Sequence, residues 1–320
     1  MKKILSFVFV LLFVCGSFAG CAAPAASEKI SIVTTIFPEY DWVLQILGDR
    51  AADVDVHLLL DNGVDLHSFQ PTAEDMIRIS TCDLFIYVGG ESDEWVEDAL
   101  KEAVNPDMQV IDLLGVLGSA AKREEMVEGM EAEEEGEEDG DPEYDEHVWL
   151  SLRNAETFVA AIADAIAGLD AVNAEVYAAN AAAYTQQLQA LDSQFKETVS
   201  AASVRTLLFG DRFPFRYLTE DYGLSYYAAF SGCSAESEAS FETVAFLANK
   251  IDELGLSVIW TLEGSNRKIA ETVAAAAQKK DVRILSLDSM QSTTAKDLQN
   301  GETYLSVMEK NFSVLADALR

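Results

Sequence analysis

The sequence predicts an α/β protein: two domains with mainly parallel sheets, joined by a long rigid backbone helix, with a ligand site in the cleft between them. Three observations carry that expectation. Short apolar runs alternate with helical patterns through residues 29–153 and again through 201–320, the mark of parallel sheets covered on both faces. Residues 174–200 form one helical stretch without Gly or Pro. The chain has 320 residues, 49 % of them hydrophobic, enough for two cores.

The elements follow in order. Lys2 and Lys3 precede an apolar run from Ile4 to Val14, broken only by Ser6. About eleven residues are too few for a bilayer span, which needs about 20, but suit the core of an export signal. Small residues then lead to Ala19-Gly20-Cys21, which resembles a bacterial lipobox and implies lipidation of Cys21, although Phe18 stands where Leu is usual. Residues 1–20 are thus expected to be a signal peptide and 21–28 a small-residue tether. In the domain 29–153, strands are expected at 29–37, 54–60, 83–89 and 109–113. Helices are expected at 40–47, where Trp42, Val43 and Ile46 share a face, from the capping box Thr72-Ala73-Glu74-Asp75 through Ile79, and at 94–103. The linker 154–200 holds helices at 154–168 and 174–200, the second about 40 Å long at 1.5 Å per residue. In the domain 201–320, strands are expected at 206–210, 224–230, 258–262 and 283–288, and helices at 215–222, 241–254, 267–279 and 304–319.

Charge narrows the partners. The chain carries 22 Lys and Arg against 55 Asp and Glu, a formal net charge of −33. That excludes nucleic acid, whose phosphates need clustered basic residues, and adhesion to anionic lipid through a basic patch. Cations are the natural counterpart. Residues 124–146 hold 14 of the acids and no Lys or Arg. Such a block repels itself and is expected to be a disordered surface loop, with weak metal capture as its functional reading. It lacks the ligand register of an EF-hand.

The chain has three histidines. His57 lies within a predicted strand and reads as a sheet-face residue. His67 follows the second strand and His147 ends the acidic block. Asp211 follows the strand 206–210 and Asp288 ends the strand 283–288. Three of these four candidates (His67, Asp211 and Asp288) fall at or beyond strand carboxyl ends, where open α/β sheets bind ligands. Two sheets facing each other would bring His67, His147, Asp211 and Asp288 around one point. Two imidazoles and two carboxylates suit a divalent transition metal: zinc if tetrahedral, manganese if the carboxylates bind through both oxygens. No H-E-x-x-H, P-loop or G-x-S-x-G motif occurs, and four protein ligands would leave no place for a catalytic water.

The flanks add a resemblance. NGVDLHSFQPT around His67, DEHVWLSLRNA around His147, ESEASF at 236–241 and LDSM at Asp288 are similar to the metal-binding lipoproteins of bacterial ABC importers for zinc and manganese, the ZnuA-like solute-binding family. The resemblance covers nearly all of the chain beyond the signal. It implies two α/β domains on a rigid helix, with the metal between them: Zn2+, with Mn2+ as the alternative. It also implies a non-enzymatic, monomeric, exported lipoprotein on the outer face of the cell membrane, delivering metal to an ABC permease. A surface adhesin with a structural metal is the other reading. The family's third ligand is usually His or Glu, in a motif His-Asp-Ala-Phe-x-Tyr. This chain has Gly210-Asp211-Arg212-Phe213-Pro214-Phe215-Arg216-Tyr217. An ungapped count puts Arg212 at the ligand position, where a guanidinium cannot ligate. Asp211 is the expected third ligand through a one-residue shift, with water, Cys233 or Glu263 as substitutes. Glu263 is otherwise expected to support a ligand or cap a turn. Glu236 and Glu238 are expected to orient a ligand histidine or complement a helix start near Ser240. Cys82 falls at the sheet edge away from the cleft and Cys233 near it, so they are not expected to pair.

Overall fold

The protein is described by a computed structural model covering residues 29–131, 143–234 and 238–319. The expected signal peptide, Cys21 with its tether, Glu236 and the middle of the acidic block lie outside the described residues.

The first domain is a parallel sheet of β1 (Ser31–Thr34), β2 (Asp55–Leu58), β3 (Leu84–Tyr87) and β4 (Gln109–Asp112), in the order β2-β1-β3-β4. Its helices are α1 (Phe37–Leu47), α2 (Ala73–Thr81), α3 (Trp95–Lys101) and the short α4 (Leu113–Leu117). The linker supplies α5 (Leu152–Leu169) and α6 (Ala174–Ala201). The second domain repeats the plan with β5 (Thr206–Phe213), β6 (Ser225–Ser231), β7 (Val258–Leu262) and β8 (Arg283–Leu287), in the order β6-β5-β7-β8, all parallel. Its helices are α7 (Arg216–Tyr222), α8 (Phe241–Leu254), α9 (Lys268–Ala276), α10 (Ala295–Gln299) and α11 (Tyr304–Ala318).

Three local differences from the sequence reading have physical causes. β1 ends at Thr34 because Pro38, at the first turn of α1, starts the helix earlier than its apolar spacing suggests. α10 was not anticipated; Thr294 and Asp297 build a reciprocal cap for it. β5 runs on to Phe213, with a register shift between Phe209 and Arg212, so Asp211 sits inside the strand and not after it. Gly210 lies in this irregular stretch. A Cβ there would come within 2.6 Å of the Ala270 Cα on α9, so only glycine lets strand and helix approach so closely.

α6 carries the architecture. Its 28 residues extend about 42 Å at 1.5 Å per residue. Tyr177, Tyr184, Leu188, Leu191 and Phe195 form its buried stripe. Near its start Asn180 donates to the Ile46 carbonyl at 2.9 Å, so it grips the first domain. Near its end Phe195 stacks on Tyr222 at 5.0 Å and meets Phe312 edge-on at 5.1 Å, so it grips the second. α11 crosses back: the Tyr304 ring packs edge-on to Trp42 at 5.2 Å, and its N–H donates to Asp41 Oδ2 at 3.1 Å. One continuous apolar core therefore spans both domains, with a second cluster under α8 and α9.

Two stability predictions follow from this packing. Trp42→Ala should cost about 3–5 kcal/mol in denaturant titration, the usual loss for a fully buried large aromatic, here at the junction of the domains. Glu39 is fully buried, and its Oε2 accepts from the Thr35 and Ile36 N–H groups. Burial first, then the charge of Asp93, pushes its pKa up to about 8. The folded state thus holds a proton that the unfolded chain releases above its ordinary carboxyl pKa, so this contribution is present in acid and lost as pH rises through the folded value. Between about pH 5 and 8, wild type should lose stability more steeply than Glu39→Gln, by at most about 1.4 kcal/mol per pH unit.

Candidate metal centre

Both cleft histidines are presented by the same local device. Asp65 Oδ1 accepts the His67 N–H at 3.1 Å, and Asp145 Oδ1 accepts the His147 N–H at 2.9 Å. An aspartate bonding its own backbone two residues on makes a tight turn that aims the second residue. Each ring is then fixed from behind. His147 Nδ1 lies 2.9 Å from Asp145 Oδ1, and His67 Nδ1 lies 2.7 Å from Ser92 Oγ and 3.4 Å from Glu146 Oε2. A carboxylate accepts only, so His147 carries a proton on Nδ1 and turns Nε2 into the cleft. The two Nε2 atoms face each other at 3.3 Å. Two nitrogens bound at about 2.0–2.1 Å to one tetrahedral zinc ion are roughly 3.3–3.4 Å apart.

The second domain contributes from the opposite wall. Cys233 follows β6, and its sulfur lies within 4.8 Å of ligand nitrogens of both His67 and His147. Its loop passes close to the buried imidazole: a Cβ on Gly232 would fall 2.9 Å from His147 Cε1. Gln291 reaches the same point from the loop after β8, with its amide nitrogen 2.7 Å from His147 Nε2 and 3.3 Å from His67 Nε2. A cavity of about 240 Å³, lined by His67, Ser92, Glu146, Arg212 and Cys233 among others, opens beside the cluster.

The electrostatics favour a cation. Burial lowers the His147 pKa, but the hydrogen bond and charge of Asp145, with Glu124 and Glu146, raise it on balance. Burial, with Glu124, Glu146 and Asp145 adding to it, pushes the Cys233 thiol far up, so the sulfur keeps its proton. Arg212 spans the cleft, pairing with Asp65 at 2.7 Å and donating to the Ser234 carbonyl at 3.4 Å. The residue at the ungapped ligand position is thus an ion-pair link between the two walls.

Of the four sequence candidates, the structure brings His67 and His147 together. Asp211 and Asp288 do not join their cluster among the described residues. Asp211, held inside β5, accepts the Arg212 N–H on one oxygen and the Leu262 N–H, at 3.3 Å, on the other. Asp288 Oδ1 accepts the Met290 N–H at 2.8 Å, a third turn of the same aspartate type. Glu263 holds Ser289, accepting from its N–H at 2.8 Å and its hydroxyl at 2.7 Å. His57 lies half-buried in β2. Cys82 and Cys233 are both free thiols. Glu238 is exposed, just before the Ser240 cap of α8. The described flanks of the acidic block are more engaged than a solvated loop: Glu124 accepts the Cys233 N–H, and Glu131 accepts from Ser240 and Thr243. Sequence reasoning missed Asp65 and Asp145, although the repeated D-x-H spacing was there to be read. It also missed Gln291, since a neutral amide has no ligand signature.

Two parallel-sheet domains on a shared helix, with imidazole and thiol donors converging in the cleft, define a metal-binding protein of the two-domain, solute-binding class. The family model described as "Zinc-uptake complex component A periplasmic" matches residues 32–318, and the chain belongs to that family. It is 33 % identical over 295 residues to the zinc-binding lipoprotein AdcA of Streptococcus pneumoniae, covering 91 % of this chain but 56 % of that protein, so the chain spans little over half of that relative's length. It is 30 % identical over 317 residues to the high-affinity zinc uptake system protein ZnuA of Bacillus subtilis, covering 97 % of this chain and 94 % of that one. Among solved structures, the Zn(II)-bound ZnuA-like domain of S. pneumoniae AdcA matches with a TM-score of 0.70 and 30 % identity, over 91 % of this chain and 99 % of that one. No helix among the described residues is long and apolar enough to cross a membrane.

Asp145 meets His147 at Nδ1, not at the Nε2 that faces His67. Asp145→Ala should therefore weaken zinc binding about 10–100-fold, as loss of a ligand's outer hydrogen-bond partner does. Competition against a chelating dye measures this, with circular dichroism to check that the fold is retained.

Proposed function

We propose that the protein captures zinc outside the cytoplasm and delivers it to an ABC permease, held at the membrane by lipidated Cys21 and acting as a monomer. The observation that carries this reading is the pair of Nε2 atoms facing each other at 3.3 Å, each ring held by an outer hydrogen bond. His67 and His147 are the first two ligands in this reading, and Cys233 is the third. Asp211 and Asp288 are not ligands in this reading: both carboxylates already accept backbone N–H groups, and neither joins a group with the two imidazoles among the described residues. A thiolate beside two imidazoles favours zinc over manganese, which prefers oxygen donors. Relatives that carry zinc in their names and a Zn(II)-bound neighbour support the same ion. The role is binding and release, with no turnover.

The reading is tested by zinc stoichiometry and affinity on residues 27–320 stripped with chelator. One zinc per chain is expected, not displaced by equimolar manganese. His67→Ala and His147→Ala should each lose the ion, and Cys233→Ser should weaken it by more than the 10–100-fold that outer partners contribute. Asp211→Ala should retain it. Because one apolar core runs through both domains, chelation should leave the far-ultraviolet dichroism unchanged. Unfolding on chelation would point instead to a structural metal in an adhesin. Manganese winning the competition would reassign the cargo.

A further inference from the structure

We propose, resting on the zinc-site reading above, that Arg212 is a positioning residue for the metal site: its ion pair with Asp65 latches the two walls of the cleft together and sets how long the ion stays.

Asp65 divides its carboxylate between two tasks. Oδ1 accepts the His67 N–H at 3.1 Å and shapes the turn that presents the imidazole. Oδ2 accepts from Arg212 Nη2 at 2.7 Å, across the cleft. Arg212 Nη1 donates to the Ser234 carbonyl at 3.4 Å, and Ser234 is the buried residue that follows Cys233. One guanidinium therefore touches both the turn that carries His67 and the loop that carries Cys233. Its planar fork keeps the two contacts in a fixed relation, which the single ammonium of a lysine does not.

The arginine is also held at its base. It lies in the irregular stretch of β5, paired with Phe230 of β6. Asp211 Oδ1 accepts its N–H at 3.0 Å, and Asp211 Oδ2 accepts the Leu262 N–H of β7 at 3.3 Å, so the base is tied to the second sheet. The pair stands between two cavities. Arg212, Ser68 and Ser234 line both the cavity of about 240 Å³ beside the imidazoles and a larger one of about 450 Å³, whose wall also holds Asp65, Asp211 and Glu263. The latch is part of the partition between the site and an acid-lined space beyond it.

Two effects of Arg212 on a bound cation oppose each other. Its charge repels the ion, so losing it would slow release. Its grip holds the His67 turn and the Cys233 loop, so losing it would speed release. Asp65 neutralises the guanidinium at 2.7 Å, and Glu91, Glu143 and Glu146 line the smaller cavity as well, so one positive charge is a minor part of the field there. The grip is well protected: both side chains of the pair are 23 % exposed. Lys122 and Glu220, another pair that joins the domains, are 42 % and 40 % exposed and do not touch either ligand segment through their side chains. Positioning therefore outweighs repulsion.

The test follows zinc release from the loaded protein into excess chelating dye by stopped flow, with circular dichroism to check the fold of each variant. Arg212→Gln should release zinc roughly tenfold faster or more, the scale on which outer partners of a ligand act. Arg212→Lys, which keeps a charge for Asp65, should recover part of that loss. Asp65→Asn keeps an oxygen for the His67 N–H but no charge for Arg212, and should speed release to a similar degree. The double variant should be within about threefold of either single one, because both break the same link. Lys122→Ala should release zinc at the wild-type rate. Slower or unchanged release in folded Arg212→Gln overturns the proposal, as do single effects that multiply in the double variant. Lys122→Ala as fast as Arg212→Gln overturns it too, since any bond between the domains would then serve. Loss of zinc in His147→Ala beside an unchanged Arg212→Gln removes the latch and leaves the zinc site standing, whereas zinc retained in His147→Ala overturns the site reading itself.

Discussion

Two imidazole rings from separate loops held with their Nε2 atoms 3.3 Å apart are the constraint on which this structure depends. Each ring is fixed from behind by an acidic or hydroxyl partner, and each backbone by an aspartate two residues earlier. Here the rings are 13 % exposed for His67 and 0 % for His147, so they are held in a packed wall with little room to move.

The rest of the fold supplies that stiffness. α6 and α11 each touch both domains, and the core runs through both without a break. A hinge would have to open that core, at the cost of exposing Trp42, Tyr304 and their neighbours. What meets across the cleft is side chains and short loops: the Gln291 amide and the Cys233 loop against His147, and Arg212 against Asp65. The surplus of carboxylates around the cleft lowers the cost of bringing in a cation and raises the cost of leaving the site empty.

Much of this was legible in the chain. The alternating strands and helices follow from apolar periodicity, which depends on neighbours a few residues away. The capping box at Thr72 and the cap at Ser240 are local hydrogen bonds, and they fall where expected. His67 and His147 stood out because histidine is rare here and their flanks matched a known pattern. The second wall was harder. Asp211 looked like a strand-end ligand only while β5 seemed to stop at Gly210; the irregular pairing with β6 and the contact with Ala270 carry the strand on.

By itself, then, the sequence determined the α/β repeat, the spine helix, the export signal as an expectation and the two histidines, because each is written in composition or in spacing along the chain. Which groups meet those histidines was decided by the tertiary structure alone. Cys233 and Gln291 lie 86 and 144 residues beyond His147 and converge on it through strand order, a glycine that permits close approach and a left-handed turn at Met290. Those are distances between chain segments folded past one another, and no local pattern encodes them.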